Sequence, residues 1–341
     1  MKALLIGGTG VISTGVTRRL VETGWDVTLL NRGKRPLPAE LQGRVRVLIG
    51  DINDEASVAA LMQGEQFDSV CNFIAYTPEQ AQRDVRLFAG KTAQYVFISS
   101  ASAYHKPVEN LPITEETPLH NPYWLYSRQK AQCEDVLLQA YRENGFPVTI
   151  VRPSHTYCER SLPVQIHGGH GPWVVIKRML EGKSVPVAAD GVTLWTATTA
   201  EDFAVYFCAL LCNECAIGEA FHITSDECLT WNRMYEIIAE CAGGVYKPCY
   251  VPSQVMAEST LYDYRGALLG DKAHTVMFDN SKVKRVTGIH DHVCTSFAEG
   301  ARRSVQYFLD HPEIRQEDLA FEAFCDRLEN LMQQVKEQLN P

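Results

Sequence analysis

The chain has 341 residues, of which 45% are hydrophobic, and a formal net charge of −9. A chain of this length and composition can bury a large core and form one large domain or two medium ones. The acidic balance argues against sequence-independent binding of nucleic acid, which requires a basic face. No apolar run reaches the length of a membrane helix and no charged leader precedes the first strand pattern, so we expect a cytoplasmic protein that does not enter a membrane.

The chain opens with a strand pattern, a glycine-rich turn and a helix. Residues 2–13 form an apolar run that ends in the turn, and residues 14–24 have helical spacing. Gly7 can adopt the positive φ of a tight turn, and Gly10 has no Cβ to keep a phosphate away from the free N–H groups of the helix. Ser13 stands where the fingerprint has its third glycine, and it is small enough to keep the helix packed on the strand. The position after the first strand favours a dinucleotide site over an ordinary strand–helix turn.

Short apolar runs continue to alternate with helical patterns through the first half of the chain. We expect strands at residues 26–31, 45–49, 69–74, 95–98 and 148–151, and helices at 54–62 and 78–88. This order predicts an α/β protein with a doubly wound parallel sheet, because parallel neighbours are joined by right-handed crossovers. Ligands of such sheets bind at the carboxyl ends of the strands.

The end of the second predicted strand bears on the choice of cofactor. A carboxylate there would bind a ribose 2′-hydroxyl and repel a 2′-phosphate, but the chain has Asn31 and Arg32, followed by Lys34 and Arg35. These residues favour NADP over NAD. NAD remains an alternative, because the Asn31 side chain can still hydrogen-bond the ribose 2′-hydroxyl and the cations can belong to a solvated turn.

Two later segments contain residues suited to proton transfer. The strand pattern before Ser100 runs into a serine-rich turn, and Tyr126 and Lys130 lie four residues apart in a helical pattern. Residues at this spacing share a helix face, and an ammonium beside a phenol lowers the pKa of the phenol from about 10. The sequence therefore predicts a tyrosine base with a lysine partner. The other interpretation, a surface pair, is weakened by the glycine turn and the serine turn that precede it.

At this point the chain resembles the extended short-chain dehydrogenase/reductases, the group that contains the NAD(P)-dependent sugar epimerases and dehydratases. The matched segments follow the family's order from the first strand to about residue 290, and they are Gly7–Gly10, Gly50–Ile52, Phe97–Tyr104, Tyr126–Lys130, Arg152–Pro153, Glu201–Ala204, Phe221–Thr224 and Asp279–Lys284.

The resemblance implies a role for each site residue. Tyr126 is the base, Lys130 its electrostatic partner and a ligand of the nicotinamide ribose, and Ser100 binds the substrate oxygen. The expected cofactor contacts are Gly7, Gly10, Val11, Ile12, Asn31, Arg32, Asp51, Ile52, Phe73, Ala75, Lys130 and Pro153. Residues 1–160 would form the NAD(P)-binding Rossmann domain and residues 161–341 a smaller, mainly substrate-binding domain, with about 195–225 returning to the Rossmann sheet.

The sequence departs from the family in two places that concern the substrate. Ala101 and Ser102 stand where sugar-nucleotide dehydratases have an acidic pair, so elimination of water by that route is not expected. An asparagine that helps to hold a nucleotide-sugar diphosphate is replaced within residues 154–157. His155, in that segment, is either a substrate ligand or a hydrogen-bonded histidine that lines the cleft.

No metal site is expected. His167 and His170 lack cysteine or carboxylate neighbours, and the eleven cysteines of the chain suit reduced thiols better than a disulfide framework. Cys208, Cys212 and Cys215 have the spacing of an iron–sulfur motif, but their apolar helical context favours packing in a core.

We therefore expect an NAD(P)-dependent epimerase of a sugar or sugar nucleotide that acts through a transient keto intermediate. Two alternatives remain open: an NADP-dependent dehydrogenase or reductase of a sugar-like alcohol, and a non-catalytic cofactor- or RNA-binding relative. The expected partner is a small sugar-type substrate rather than a nucleic acid, and a homodimer stays open.

Overall fold

A seven-stranded parallel sheet lies at the centre of the computed structural model, which describes residues 1–339. The strands in chain order are β1 (Lys2–Ile6), β2 (Asp26–Asn31), β3 (Arg46–Ile49), β4 (Phe67–Asn72), β5 (Thr92–Ile98), β6 (Val148–Pro153), β7 (His155–Tyr157), β8 (Val185–Ala188), β9 (Leu194–Trp195), β10 (Ala197–Thr199), β11 (Ala220–Ile223), β12 (Leu229–Thr230) and β13 (Pro248–Val251). The sheet has the order β11-β6-β5-β4-β1-β2-β3, and the remaining strands pair as β10-β7, β12-β9 and β13-β8.

Helices cover both faces of the sheet. The helices are α1 (Val11–Glu22), α2 (Glu55–Leu61), α3 (Pro78–Phe88), α4 (Leu125–Asn144), α5 (Trp173–Leu180), α6 (Ala200–Leu210), α7 (Trp231–Ala242), α8 (Ser253–Ala257), α9 (Arg265–Ala267), α10 (Ser281–Thr287), α11 (Phe297–Asp310) and α12 (Leu319–Leu339). Helices α1 and α6 pack on one face, and α2, α3 and α4 pack on the other. The doubly wound α/β fold predicted from the sequence is confirmed.

The first strand shows why this part of the chain folds as a central strand. Its side chains alternate between the two layers: Ala3 and Leu5 join the core under α1 and α6, and Leu4 and Ile6 join the core under the other helices. All four are fully buried. A strand buried on both faces is apolar throughout, which is the pattern of the opening residues.

The closest approach of helix α1 to its surroundings occurs at Gly15 rather than at Ser13. A Cβ on Gly15 would lie 2.6 Å from the carbonyl oxygen of Ala200, the first residue of α6. The Ser13 hydroxyl instead accepts from the Gly10 N–H at 2.8 Å and donates to the Gly7 carbonyl at 2.6 Å. The sequence pattern indicated Ser13 as the packing position, and the structure adds Gly15 as the point where α1 meets α6.

A third core lies beyond the sheet and is built mainly from the second half of the chain. It contains residues of α5, α7, α11 and α12 together with β8 and β13. The first part of α12 docks on this core through Phe321, Phe324 and Leu328, whereas Leu331 is 49% exposed. Strand β11 returns to the large sheet beside β6. Among residues 1–339, no helix is both long enough and apolar enough to span a membrane.

Changing Gly15 to Ala should destabilise the fold. In an open helix this change stabilises by about 1 kcal/mol, because alanine has the higher helix propensity. Here the added methyl meets backbone of α6, so we expect a loss of about 1–3 kcal/mol, as for an overpacked core. The free energy of unfolding from urea denaturation measures the effect.

Gly169→Ala is the matched control, because no atom lies within 4 Å of the point that a Cβ would occupy there and Gly169 has no positive φ. We expect it to change stability by less than about 0.5 kcal/mol. An unfolding free energy of Gly15→Ala equal to or above that of the unchanged protein would refute the close-packing argument.

Candidate active site

A cavity of about 600 Å³ opens at the carboxyl ends of β1, β2 and β4. Its lining includes the predicted cofactor residues Gly7, Gly10, Val11, Ile12, Asn31, Arg32, Asp51, Ile52 and Phe73. Further lining residues that were not predicted from the sequence are Thr9, Asn53, Tyr76 and Gln80. Thr9 lies within the Gly7–Gly10 motif and Asn53 directly follows the Gly50–Ile52 motif. Tyr76 comes from the loop after β4 and Gln80 from α3, and neither segment carries such a motif.

The glycine turn is shaped so that the start of α1 faces this cavity. Gly7 has a φ of +83°, and a Cβ there would lie 2.7 Å from the Ile74 side chain. Gly10 is the N-cap and has no side chain that could cover the free N–H groups of the first turn. Those N–H groups and the helix dipole make a binding site for a phosphate.

The end of the cavity next to β2 carries the cations expected from the sequence. Arg32, Lys34 and Arg35 line the cavity directly after β2 and are exposed. Asp51 also lines the cavity, and its Oδ1 atom accepts hydrogen bonds from the Asn53 main-chain N–H at 3.0 Å and from the Asn53 amide at 3.1 Å. The carboxylate of Asp51 is therefore held in one orientation.

The Ser100 hydroxyl lies in a short serine chain at the end of β5. Ser100 begins a 3-10 turn over Ala101–Ala103, and its Oγ atom lies 2.8 Å from that of Ser102. Ser102 in turn accepts from the Ser127 hydroxyl of α4 at 2.7 Å. This chain of hydroxyls fixes Ser100 relative to the helix that carries Tyr126.

Lys130 is buried and holds two segments of the active site together. Its Nζ atom donates to the Ala75 carbonyl at 2.7 Å and to the Ile98 carbonyl at 2.6 Å. An ammonium has three N–H donors, so one remains for a ligand. Burial lowers the pKa of Lys130 to about 8. Ala75, a predicted cofactor contact, is itself fully buried, and its carbonyl orients this lysine.

The expectation that Lys130 lowers the pKa of Tyr126 is not met in the structure of the chain alone. Burial raises the pKa of Tyr126 to about 12, and the nearby Ser100 hydroxyl opposes this only in part. Lys130 Nζ lies 5.8 Å from the centre of the phenol ring and directs two of its hydrogens to carbonyl groups. The phenol is therefore protonated at neutral pH in this state and is ready to act as an acid.

A buried ion pair lies behind these residues. Arg152 of β6 donates to Glu134 of α4 through Nη2 at 2.6 Å and through Nε at 3.0 Å, and the Ser99 hydroxyl donates to the same carboxylate. Arg152 Nη1 also donates to the Tyr104 hydroxyl at 3.2 Å. Tyr126, Lys130 and Glu134 lie on one face of α4, because they follow one another at intervals of four residues. The ion pair between Arg152 and Glu134 therefore fixes this face against the sheet.

Pro153 and His155 follow on the same stretch of chain. Pro153 ends β6, is buried and pairs with Ile223 of β11, and it does not belong to the cavity lining. The Nδ1 atom of His155 accepts from the Trp195 indole at 3.3 Å. Since an indole only donates, the neutral imidazole of His155 has its proton on Nε2. Burial holds the pKa of His155 well below its usual range.

The approach of Lys106 to Asp271, whose charge acts on Tyr126, was not predicted from the sequence. The Nζ atom of Lys106 is buried without a hydrogen-bond partner among the described residues and lies 3.9 Å from Asp271 Oδ1. The Asp271 side chain is 20% exposed, and its charge raises the pKa of Tyr126. Lys106 follows the Ser100–Tyr104 motif closely, but nothing in the sequence indicated that residue 271 comes next to it.

The cysteine prediction needs correction in part. Cys208 lies on α6 and packs against the core, as expected. Cys212 and Cys215 come after the end of that helix and are exposed, because α6 stops at Leu210.

Comparison with known proteins identifies the family. The model of the NAD dependent epimerase/dehydratase family matches residues 3–223. The chain is 30% identical over 260 residues to the chloroplast stem-loop binding protein of 41 kDa b of Arabidopsis thaliana, covering 72% of this chain and 64% of that protein. It is 26% identical over 261 residues to 2'-dehydrokanamycin reductase of Streptomyces kanamyceticus, covering 76% of this chain and 71% of the relative.

Solved structures have the same fold. The crystal structure of UDP-glucose 4-epimerase from Thermotoga maritima with UDP-glucose superimposes with a TM-score of 0.72 at 21% identity, over 92% of this chain and all of the other. The family match runs from β1 to the end of β11 and so takes in every strand of the large sheet. The chain thus belongs to the NAD dependent epimerase/dehydratase family of enzymes, as its resemblance to the extended short-chain dehydrogenase/reductases implied.

Proposed function

We propose that this enzyme epimerises a sugar or sugar nucleotide at a carbinol carbon, with a bound NAD(P) that is retained through a keto intermediate. The observation that carries the proposal is the meeting of Ser100, Tyr126 and Lys130 next to the cavity: Lys130 donates to Ile98 and the Tyr126 ring packs against Tyr76 at 6.4 Å, and both Ile98 and Tyr76 line the cavity. These three side chains come from the end of β5 and from α4, and hydroxyl and carbonyl partners orient Ser100 and Lys130.

The residues of the cavity suit a dinucleotide. Gly7 has no room for a Cβ beside Ile74, Gly10 has no side chain over the free N–H groups of α1, and the start of α1 lines the cavity, so a pyrophosphate could bind there. Asp51 would accept a hydrogen bond from the adenine amine, and the remaining N–H of Lys130 would donate to the ribose next to the nicotinamide. When bound, the oxidised nicotinamide accepts the hydride of the carbinol carbon.

Tyr126 moves the proton. Because the phenol of Tyr126 is protonated in the chain alone, it has to release its proton to solvent before the first half of the cycle. As the phenolate it would take the hydroxyl proton of the sugar as the carbinol is oxidised, and as the phenol it would return that proton to the keto oxygen when the hydride comes back to the opposite face. Ser100 donates to the same oxygen and holds it near the phenol. The raised pKa of Tyr126 favours the second half of this cycle, since a weak acid holds its proton until the carbonyl oxygen gains charge.

Epimerisation is favoured over dehydration because Ala101 and Ser102 offer no carboxyl group next to Ser100. Ser102 is also engaged in the chain of hydroxyls between Ser100 and Ser127. On the substrate side we propose that Asp271 and the Nε2–H of His155 bind sugar hydroxyls, because the charge of Asp271 acts on Tyr126 and that of the next residue, Lys272, acts on His155.

A second candidate is a reductase that uses the same residues once and exchanges its cofactor. The similarity to 2'-dehydrokanamycin reductase supports it. The two candidates differ in the fate of the hydride.

Incubation with nucleotide sugars deuterated at the carbinol carbon should give inversion with retained deuterium and no net change in nicotinamide absorbance. Stoichiometric formation or consumption of NADH or NADPH would instead support the reductase.

The similarity to a stem-loop binding protein supports a third candidate, the binding of structured RNA. The net charge of −9 opposes it. A gel shift with a stem-loop RNA at physiological salt distinguishes the two classes, and we expect no shift.

Changing Tyr126 to Phe should lower kcat by about 10²–10⁴-fold, because it removes the only atom that transfers the proton. The affinity for NAD(P) should stay within a few-fold, since Lys130 and the glycine turn remain. Single-turnover kinetics and cofactor titration measure the two quantities. Tyr123→Phe is the control, because Tyr123 lies on the same segment but is 37% exposed. Full activity in Tyr126→Phe would remove Tyr126 from the mechanism.

Changing Arg32 to Ala should weaken binding of NADP by about 10–100-fold and leave NAD nearly unaffected. A guanidinium forms paired charge-assisted hydrogen bonds with a 2′-phosphate, and such bonds contribute about 1.5–3 kcal/mol. Fluorescence titration of both cofactors checks the ratio, with Arg44→Ala as the control, because Arg44 is also exposed but lies outside the cavity lining. Equal losses for NAD and NADP would contradict a 2′-phosphate role and leave NAD as the preferred cofactor.

A further inference from the structure

A cluster of potential metal ligands lies at the start of α6, outside the cofactor cavity. Asp202 of α6 meets His292 and Cys294 of the segment before α11, and one ligand atom of each lies within 4.8 Å of the others. None of the three lines the cofactor cavity. Asp202 and His292 are separated by 90 positions in the chain and are brought together only by the fold.

The surroundings hold the Asp202 carboxylate in a fixed orientation. Its Oδ2 atom accepts from the Thr199 hydroxyl at 2.6 Å and from the Thr295 N–H at 2.9 Å. Its Oδ1 atom faces His292, whose Nε2 atom lies 2.9 Å away. The protein therefore uses one oxygen to anchor the carboxylate and presents the other to the imidazole and the thiol.

An unpaired hydroxyl next to the cluster is a second, independent sign of a missing ligand. Tyr206 lies one helical turn after Asp202 and is 3% exposed, and its hydroxyl has no hydrogen-bond partner among the described residues. Its ring packs edge-on against the His292 ring at 5.7 Å. A tyrosine hydroxyl is a hydrogen-bond donor, so Tyr206 has a buried donor that lacks an acceptor among the described residues.

We propose that Asp202 Oδ1, His292 Nε2 and Cys294 Sγ bind a Zn²⁺ ion, with a water as fourth ligand that accepts from the Tyr206 hydroxyl. Thiolate sulfur, imidazole nitrogen and carboxylate oxygen are the ligands that zinc takes in proteins, in tetrahedral geometry at about 2.0–2.3 Å. Nearby Asp226 is not counted as a ligand, because it pairs with Lys284 at 2.6 Å.

The charges of this site balance. Binding converts the Cys294 thiol to a thiolate and releases its proton to solvent, and the imidazole of His292 binds as the neutral form with its proton on Nδ1. One carboxylate and one thiolate then neutralise the two charges of the ion. The bound ion fixes the segment before α11 to α6, and α6 packs directly on α1, the helix at the cofactor cavity.

The test is a zinc titration of the chelator-treated full chain, with metal content determined after gel filtration. We expect one equivalent of Zn²⁺ per chain and a higher melting temperature with zinc than without it. Co²⁺ is the spectroscopic probe, since coordination by a cysteine gives a thiolate charge-transfer band. Cys294→Ala should abolish that band, and Cys294→Ala and His292→Ala should each weaken Zn²⁺ binding at least tenfold.

Cys215→Ala is the matched control, because Cys215 is exposed and does not belong to the cluster, and it should keep both the band and the affinity. Circular dichroism checks that each variant is folded. If His292→Ala does not fold, Cys294→Ala still decides the question. The Cys294 thiol caps no helix, so we expect this variant to fold. Absence of stoichiometric zinc in the unchanged chain, or a band that survives in Cys294→Ala, would overturn the proposal and leave Asp202 and His292 as a hydrogen-bonded pair.

Discussion

The placement of the active site depends on the buried ion pair between Arg152 and Glu134. Tyr126, Lys130 and Glu134 succeed one another at four-residue intervals on α4, so the orientation of the helix at Glu134 sets the orientation of the two residues before it. Arg152 fixes Glu134 from β6 with two short hydrogen bonds, and Ser99, just after β5, adds a third. Removing one partner of such a pair leaves a buried charge and costs about 3–5 kcal/mol, so helix and sheet are joined firmly at this point.

The same arginine connects the active site to the second half of the chain. Arg152 donates to the Tyr104 hydroxyl, which lies 3.0 Å from His222 Nδ1 on β11. The other nitrogen of His222 lies 2.7 Å from the Asp279 carbonyl and must donate to it, so Nδ1 accepts from Tyr104. A continuous chain of polar contacts therefore runs from α4 through β6 to β11. The residues that follow β11 are held in register with α4 by these contacts.

Burial has opposite consequences for the two proposed proton-handling residues. It raises the pKa of Tyr126 and lowers that of Lys130, so both are biased toward their neutral forms. With a pKa of about 8, Lys130 nevertheless keeps its positive charge at neutral pH, whereas Tyr126 is neutral. In the proposed reaction, charge that develops on the substrate oxygen would be offset by hydrogen bonds from Ser100 and Tyr126 and by the nearby Lys130 ammonium.

The sequence by itself determined the features that depend on neighbours along the chain. The apolar runs specified the strands of the doubly wound sheet, and the Gly7–Gly10 turn and the Tyr126–Lys130 spacing indicated the cofactor and the proton chemistry, because each pattern lies within one strand, turn or helix. Tertiary structure alone decided the contact of Gly15 with Ala200, the acceptors of Lys130, the approach of Lys106 to Asp271, and the cluster of Asp202, His292 and Cys294. It also decided the pKa of Tyr126, for which the local pattern predicted the wrong direction. These features arise between segments tens to hundreds of residues apart, and burial, distance and desolvation between such segments are set by packing, which periodicity along the chain does not encode.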